Sequence, residues 1–259
     1  MAERVRQLAL DLPPREASDA VALASHPGAP ARQLALDLLP RTSFAAEDFL
    51  VGSSNERAYG LLEGWPAWPS RLMRLVGPPG SGKSHLAAMW ASRAEAGIVA
   101  ASELRGEAVP DLACKPALVI EDIDRGPLEE AALFHLVNLG RERRSYLLLT
   151  STLPPDGCGF STADLISRLR LAPSIELGPP DDDLLKSVLV KLFLDRQLLV
   201  DAAVIDFLAA RIERSLGAAR RIVAELDREA LSRGRRVTRP IAAHILSHMR
   251  DDAPVEDGG

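Results

Sequence analysis

The sequence predicts an α/β fold in which a parallel sheet, flanked by helices, is followed by a small all-helical region. Residues 117–120 and 146–149 are continuously apolar, which is typical of parallel strands buried on both faces. A glycine-rich segment, residues 77–84, stands between a short strand pattern and a helical pattern. After the break at Gly178-Pro179-Pro180, apolar residues recur at helical spacing, so we expect helices there.

Composition and periodicity divide the chain into four regions. Residues 1–42 are rich in Ala, Pro and Arg and show no sustained helix or strand period, so we expect a flexible tether. Residues 43–178 form the predicted α/β domain, and residues 179–250 form the predicted helical domain. Residues 251–259 form an acidic tail, which we expect to be disordered.

The bulk composition limits the possible partners and the location. The 259 residues carry 31 Lys and Arg against 36 Asp and Glu, and the net charge of −5 argues against a broad surface for bare nucleic acid. Cys114 and Cys158 form no disulfide framework or metal-ligand pattern. No apolar run approaches the roughly 18–20 residues of a membrane span, and no signal-peptide segment begins the chain. We therefore expect a cytoplasmic protein without membrane contact.

Residues 77–84 match the phosphate-binding loop pattern G-x-x-x-x-G-K-[ST]. Glycines in such a loop let backbone N–H groups approach a phosphate at the start of a helix. We expect Lys83 to reach the β- and γ-phosphates and Ser84 to ligate Mg²⁺, so the pattern predicts ATP or ADP with Mg²⁺. A glycine turn with a chance lysine is the alternative, and the flanking strand and helix argue against it. The candidate nucleotide-binding residues here are Pro79, Gly80, Ser81, Gly82, Lys83, Ser84 and His85.

The apolar run at residues 117–120 ends in two acids, Glu121 and Asp122. At the carboxyl end of a parallel strand, these acids face the crevice in which α/β sheets bind ligands. We expect one carboxylate to hold Mg²⁺, directly or through water, and its neighbour to polarise an attacking water. An accidental acidic turn is the alternative.

Residues 49–55 read Phe-Leu-Val-Gly-Ser-Ser-Asn, which closely resembles the F-x-V-G-x-S-N segment that opens the AAA+ domain of the DnaA initiator family. In that family the segment lines the adenine pocket. The resemblance therefore implies that Val51, Gly52 and Asn55 contact a nucleotide. We also expect Asn55 to cap the helix that follows. A plain turn with a helix cap is the alternative.

The resemblance to AAA+ proteins concerns the order of the strand-end acids and the end of a later strand. The usual order of strand-end acids in that family is Asp then Glu, whereas this sequence has Glu121 and then Asp122. Thr150, Ser151 and Thr152 occupy the sensor-1 place, where a hydroxyl contacts the γ-phosphate or the attacking water. The sequence does not decide which of the three hydroxyls makes this contact. The alternative interpretation is a turn that only ends the strand.

Residues 165–169 follow the pattern L-x-S-R-L, which resembles the DnaA box in which an arginine finger projects into a neighbour's nucleotide. Arg168 stands at the finger position, and a finger in trans raises a hydrolysis rate by about 10³–10⁵. An arginine that simply favours a helix C-terminus is the alternative. The sensor-2 arginine of AAA+ proteins begins the third lid helix, where this sequence has Gly217, so the resemblance leaves Arg214 or Arg220 as a substitute.

The tether contains a near-perfect duplication, in which residues 6–13 recur as residues 32–40. Both copies resemble the sliding-clamp-binding motif of replication proteins, a Gln followed by spaced leucines. The resemblance implies the β subunit of DNA polymerase III, the sliding clamp, as a partner. A coding duplication without function is the alternative, and we prefer the second copy as the functional one. The implied clamp-binding residues are Gln7, Leu8, Leu10 and Leu12 in the first copy and Gln33, Leu34, Leu36 and Leu38 in the second.

An initiator-type ATPase core with a clamp-binding tether resembles the Hda family, the clamp-associated regulators that inactivate DnaA. DnaA initiators continue into a DNA-reading helix-turn-helix domain, whereas this sequence ends at residue 259, and the resemblance covers roughly residues 32–250. It implies a nucleotide-bound adaptor that stimulates hydrolysis of DnaA-bound ATP through Arg168. Its implied partners are the clamp and DnaA, with DNA contacted only through the clamp and a homo-oligomer as a further expectation.

The alternative function is an autonomous ATP-driven motor, such as a helicase loader or a clamp-loader-like ATPase. That function requires vigorous hydrolysis that depends on Lys83 and Asp122. The sequence lacks the basic, aromatic stripe expected of a single-strand channel. The residues leave open whether the protein hydrolyses ATP by itself.

Overall fold

The computed structural model describes residues 49–233 and 236–251. The predicted tether, both copies of its clamp-binding-like motif and residues 252–259 of the tail lie outside the described residues. The predicted domain boundaries and the clamp contacts of that motif therefore stay predictions.

Five parallel strands form a single sheet in this part of the chain, in the order β2-β3-β4-β1-β5. The register pairs Val76 with Ser151 and Ile120 with Leu149, so the carboxyl ends of β1, β3 and β4 lie side by side. The phosphate-loop pattern and the strand-end acids are thereby brought to one edge of the sheet. The strands are β1 Leu72–Val76, β2 Gly97–Ala100, β3 Ala117–Glu121, β4 Tyr146–Ser151 and β5 Ser174–Glu176.

Helices cover both faces of the sheet, and each face has its own apolar core. Along β3, Val119 belongs to one core, whereas Leu118 and Ile120 belong to the other, so the strand is buried on both sides. This explains why its sequence is continuously apolar rather than alternating, and it confirms the predicted α/β class. The helices of this part are α1 Glu56–Glu63, α2 Lys83–Ala94, α3 Val109–Leu112, α4 Glu130–Arg143 and α5 Ala163–Leu171.

A cluster of aromatic side chains fixes helix α2 against the sheet. Trp90 of α2 is 2% exposed and stacks on Trp68 with ring centroids 4.7 Å apart. Trp65 meets the edges of both Trp90 and Tyr146. Because these rings bury a large apolar area, they hold in place the helix that begins at the glycine-rich loop.

The remaining helices form a separate, all-helical part with its own apolar core. Its buried side chains include Leu189, Phe193, Leu208 and Leu226, one or more from each of the first three of these helices. The predicted helical region after the Gly-Pro-Pro break is therefore confirmed. Its helices are α6 Asp182–Asp195, α7 Ala202–Ala209, α8 Leu216–Arg233 and α9 Arg239–Asp251. Among the described residues, no helix is both long enough and apolar enough to cross a membrane.

The spacing of apolar residues predicts helices over residues 127–144, 161–170 and 202–213, the second with a side-chain cap at its start, and each differs from the structure at one end. Helix α4 begins at Glu130 rather than at Pro127, because the backbone before it is extended and lets Leu128 pack against the core. Helix α5 has Thr162 at its N-cap without a side-chain cap, and the carboxylate of Glu130 accepts the N–H groups of Ser161 and Thr162 just before the helix. Helix α7 ends at Ala209, where the chain turns toward the start of α8.

Candidate functional site

The segment at residues 77–84, called here the phosphate loop, joins the end of β1 to the start of α2. Gly80 and Gly82 have φ angles of +71° and +103°, which side chains with a Cβ rarely adopt. Lys83 is the first residue of α2, so the backbone N–H groups of the loop converge at a helix N-terminus. The strand–loop–helix context that the motif requires is confirmed.

The side chain of Lys83 folds back onto the backbone of the phosphate loop. Its side chain is 6% exposed, and its Nζ donates to the carbonyl oxygens of Gly77 and Pro78 at 2.6 and 3.0 Å. Burial lowers the pKa of the Lys83 ammonium, while the nearby carboxylate of Asp122 acts in the opposite direction. A cation that is this poorly hydrated is suited to bind an anion that enters the loop.

Ser84 and Glu121 meet across the gap between α2 and β3. The Ser84 hydroxyl lies close enough to the Glu121 carboxyl group to influence its pKa, and Oε1 of Glu121 is buried without a hydrogen-bond partner among the described residues. Burial raises the pKa of the Glu121 carboxyl group, and the negative charge of Asp122 raises it further. The nearby Ser84 hydroxyl and the Lys83 ammonium lower it. A hydroxyl beside a carboxylate with an unused oxygen fits the oxygen ligands that Mg²⁺ prefers.

Protein side chains alone do not complete a metal site here. Within the described ranges, no group of three or more His, Cys, Asp or Glu residues could hold a metal ion. Mg²⁺ typically keeps water and substrate phosphate ligands beside one or two carboxylates. The donor set of Ser84 and Glu121 is consistent with that arrangement.

Asp122 follows β3 in an unusual backbone conformation. Its φ is 54°, in the left-handed region that Asp tolerates better than most residues. Its N–H donates to the Thr150 hydroxyl at 2.9 Å, and Thr150 is fully buried at the end of β4. Thr150 therefore fixes the backbone at the second of the two acids.

The other two hydroxyls of the sensor-1 place have different surroundings. The Ser151 hydroxyl donates to the carbonyl oxygen of Leu153 at 2.8 Å. The Thr152 Oγ1 is buried and has no hydrogen-bond partner among the described residues. Of the three, Thr150 is the one whose hydroxyl is bonded at the strand-end acids, and the catalytic roles of Thr150 and Ser151 stay predictions.

Asp124 is a structural contributor to the site that the sequence analysis did not single out. Its Oδ2 accepts the N–H groups of Thr152 and Leu153 at 2.7 and 2.9 Å. These bonds join the segment after β3 to the segment after β4. A third acid that closely follows Glu121 and Asp122 was the available signal in the sequence.

Asn55 stands at the N-cap position of α1 but does not cap that helix. Its Oδ1 accepts the N–H of Gly52 at 2.8 Å, and its Nδ2 donates to the carbonyl oxygen of Leu50 at 3.0 Å. The predicted side-chain cap is therefore wrong, because the side chain is used to fold the segment that precedes it. Val51, in that segment, is 48% exposed and free to contact a ligand.

The same segment connects the phosphate-loop helix to the C-terminal helices. Phe49 stacks on Tyr59 and meets the His85 ring edge-on, with centroids 5.2 Å apart. At Gly52, a Cβ would lie 3.1 Å from the Cβ of Leu184 in α6, so glycine permits this close approach. His85 is 6% exposed, which puts its ring in the packed layer; its predicted role in nucleotide binding stays a prediction.

The start of helix α8 lies directly against the phosphate loop. The Leu216 N–H donates to the Gly80 carbonyl oxygen at 2.8 Å. Ser215 caps the helix, because its Oγ accepts the N–H of Ala218 at 3.0 Å. The C-terminal helices are thereby bonded to the loop backbone, at the helix start where the resemblance places sensor 2.

The two candidates for a substitute sensor-2 arginine differ in their surroundings. Arg214 pairs with Asp182 at 2.9 Å, and both side chains are exposed. Arg220 is half-buried one turn into α8, and burial lowers the pKa of its guanidinium. Gly217 lies between them, where a Cβ would stand 3.7 Å from the Cα of Gly80. The structure thus brings the sensor-2 place to the loop, while the nucleotide contacts of Arg214 and Arg220 stay predictions.

Arg168 lies on helix α5, which is not part of the phosphate loop's surroundings. Its guanidinium carbon is 5.3 Å from the centre of the Phe134 ring on α4. It forms no ion pair with any residue in the described ranges, unlike its neighbour Arg170, which is bound to Asp156. The side chain is thus oriented by an aromatic face and not by a carboxylate.

Comparison with known proteins identifies the fold. Domain III of the replication initiation protein DnaA from Thermotoga maritima is 19% identical and has a TM-score of 0.67, over 79% of this chain and 96% of that one. The chain has the AAA+ fold. AMPPCP-bound DnaA from Aquifex aeolicus is 17% identical with a TM-score of 0.64, over 83% of this chain and 71% of that one.

A protein from outside the initiators is almost as similar. The RuvB Holliday junction branch migration motor of Thermotoga maritima is 18% identical with a TM-score of 0.63, over 81% of this chain and 73% of that one. No family model matches the chain, and no curated protein matches it in sequence. At these identities the comparisons establish the fold alone.

Replacing Gly80 with alanine is expected to lower the free energy of unfolding more than the same change at Gly159. Both glycines have positive φ, +71° and +75°, so both alanines carry a similar backbone strain, about 1–2 kcal/mol. At Gly80 the new methyl group also meets Ser215 Oγ at 2.5 Å, whereas nothing lies within 4 Å at Gly159. Urea unfolding of both variants measures the difference, and equal losses would contradict the contact between the loop and α8.

The variant Glu121→Gln is expected to gain stability relative to the wild type as the pH rises. Because its pKa is raised, the folded Glu121 carboxyl keeps its proton to a higher pH than in the unfolded chain. Its contribution to the free energy of unfolding therefore falls as the pH rises from the unfolded pKa through the folded pKa. Glutamine has no such loss, so the variant's advantage is greater at pH 8 than at pH 4.

Urea unfolding without nucleotide, at both pH values, measures this difference. The matched control is Glu107→Gln, because Glu107 is exposed and lies outside the site. A pH-independent difference between Glu121→Gln and the wild type would contradict the burial of a charged carboxylate at this position.

Proposed function

We propose that the chain binds ATP or ADP, with Mg²⁺, at the phosphate loop. The observation that carries the proposal is the buried Lys83 at the start of α2, bonded to the backbone of a loop in which Gly80 and Gly82 have positive φ. Ser84 and Glu121 would hold Mg²⁺, which when bound neutralises charge on the phosphates. The AMPPCP-bound DnaA of similar fold supports this choice of ligand.

Lys83→Ala is expected to weaken the binding of ATP and ADP by about 10- to 100-fold, since it removes a charge-assisted contact to phosphate. Isothermal titration with Mg²⁺ present measures the affinity. Lys115→Ala is the matched control, because Lys115 is exposed and follows α3, away from the loop. Unchanged affinity in Lys83→Ala would exclude the phosphate loop as the nucleotide site.

We further propose that this AAA+ unit regulates the initiation of replication. In this proposal it is held by the sliding clamp, docks on ATP-loaded DnaA and completes the DnaA ATPase site with Arg168. The likeness to DnaA domain III, which spans 96% of that domain, supports the docking step. Two units of one fold can pack head to tail, so that a residue of one reaches the nucleotide of the other.

The surroundings of Arg168 support its role as the finger. Its guanidinium packs on Phe134, an arrangement that orients the group without neutralising its charge. A carboxylate partner would compete with a phosphate for the same N–H donors, and Arg168 has none among the described residues. Arg168 is therefore suited to serve a phosphate in another molecule.

Three features of the chain's own site favour nucleotide binding over rapid hydrolysis. The second of the two strand-end acids is Asp122, where the usual AAA+ order has the longer Glu, and its backbone is left-handed. Gly217 occupies the sensor-2 place, and Arg214 there is engaged with Asp182. A bound nucleotide would then serve mainly to stabilise the contact between the loop and α8, which is consistent with an adaptor.

The clamp contact rests on the sequence alone. The duplicated motif, with Gln33, Leu34, Leu36 and Leu38 in the preferred copy, offers spaced leucines to a partner pocket. Each leucine buried in a pocket of the clamp would contribute about 1.5–3 kcal/mol.

An autonomous ATP-driven motor is the second candidate function, and the likeness to the RuvB branch migration motor favours it. A motor turns over ATP by itself, and its activity depends on Lys83 and Asp122. An adaptor has weak turnover by itself and strong activity only in the presence of DnaA. Measured turnover of the isolated protein separates the two candidates.

Arg168→Ala is expected to abolish the stimulation of DnaA-bound ATP hydrolysis in the presence of loaded clamp, because a finger in trans contributes about 10³-fold or more to the rate. Binding of nucleotide by the variant itself is expected to be unchanged. Arg170→Ala, on the same helix and exposed, is the matched control and should keep the stimulation. Equal stimulation by Arg168→Ala and the wild type would exclude Arg168 as the finger.

A further inference from the structure

A second candidate site lies behind the phosphate loop, around Arg74 of β1. Arg74 is 7% exposed, although it is a charged residue in the middle of a strand. Its Nε and Nη2 both donate to one carbonyl oxygen, that of Ala172, at 3.3 Å. Buried cations in proteins are normally paired with an anion, because leaving them unpaired costs free energy.

No carboxylate in the described part of the chain forms a direct ion pair with Arg74. Asp156 and Glu176 act on the charge of Arg74 without bonding to it, and Asp156 is bound to Arg170. The third guanidinium nitrogen of Arg74, Nη1, makes no hydrogen bond to a described residue. Arg74 thus retains N–H donors for a further acceptor.

A cavity of about 390 Å³ opens at Arg74. The register of β1 with β5 brings Ser174 beside Arg74 and Glu176 beside Val76, and all four residues line the cavity. Thr152 lines it as well, and its buried Oγ1 has no partner among the described residues. A buried cation with unused N–H donors therefore borders one concave space, as in a small-molecule site.

The cavity is separate from the predicted phosphate contacts. Its wall includes Gly77 and Pro78, the first residues of the phosphate loop, but none of residues 80–84. A molecule in the cavity would therefore touch the loop from behind, where Lys83 is bonded to the Gly77 and Pro78 carbonyls.

We propose that this cavity binds a small organic carboxylate, with Arg74 as its cationic partner. The planar guanidinium presents parallel N–H groups that match the two oxygens of a carboxylate. The volume accommodates on the order of ten non-hydrogen atoms, since water takes about 30 Å³ per molecule.

Glu176 determines which carboxylates fit. It lines the same cavity two residues along β5 from Ser174, so a second negative charge on the ligand would be repelled. A carboxylate that also carries an ammonium group would instead place its cation toward Glu176. The site is therefore expected to prefer zwitterions and monoanions over dianions.

Ligand-observed saturation-transfer NMR and calorimetry on the full chain test the site, with L-alanine, acetate and succinate as probes. The wild type is expected to bind L-alanine and acetate saturably and to bind succinate more weakly. Arg74→Met, which keeps the shape but not the charge, is expected to weaken acetate binding by about 10- to 100-fold. Arg71→Met is the matched control, because Arg71 is exposed on the same segment and does not line the cavity.

Glu176→Gln keeps the test decisive if Arg74→Met does not fold, because Glu176 is exposed at the edge strand. It is expected to raise succinate affinity relative to acetate by about tenfold, since the repelling charge is gone. The proposal is overturned if the wild type binds none of the probes at about 10 mM. It is also overturned if folded Arg74→Met binds acetate as well as Arg71→Met does, or if Glu176→Gln leaves the succinate-to-acetate ratio unchanged.

Discussion

The hydrogen bond between Leu216 and the Gly80 carbonyl is the contact on which the arrangement of the site depends. It joins the backbone of the phosphate loop to the first turn of α8, so the C-terminal helices are positioned by the same residues that would bind phosphate. Only glycine at position 80 permits this contact, since its φ is positive and a Cβ would overlap Ser215. A ligand that reorders the loop must therefore also act on the orientation of α8, without any additional connecting element.

The sequence predicts the parts of the site that are local. The loop and the strand-end acids are motifs in which adjacent residues determine both backbone and chemistry, so residues 77–84 and Glu121 could be found without coordinates. Asn55 shows where local reasoning fails, because an asparagine before a helix can cap that helix or bond to the preceding backbone. The choice was decided by the positions of Gly52 and Leu50. The bond of Leu216 to Gly80 joins residues far apart in the chain; the resemblance places the start of α8 near the nucleotide, but neither segment contains a pattern that predicts this bond.

Arg74 shows a different limit of sequence reasoning. A single cation within a short apolar strand is compatible with an exposed edge strand, in which case it needs no explanation. Only the sheet order, which places β1 between β4 and β5, makes it a buried charge. The sequence shows Arg74 as an interruption of an apolar strand. Whether that charge is buried depends on which strands lie beside β1.

Three features with separate roles lie against the backbone of residues 77–80 in the phosphate loop. Lys83 holds the carbonyls of Gly77 and Pro78, α8 holds the carbonyl of Gly80, and the cavity at Arg74 borders Gly77 and Pro78 from behind. If a carboxylate in that cavity displaces the Gly77 and Pro78 carbonyls, it changes the free energy that is required for Lys83 to leave them and bind a phosphate. Thermodynamic linkage then requires the nucleotide to change the affinity for the carboxylate by the same factor. In an adaptor whose nucleotide serves mainly to set the position of α8, this coupling would change the stability of the docked form. It would not change a rate of catalytic turnover.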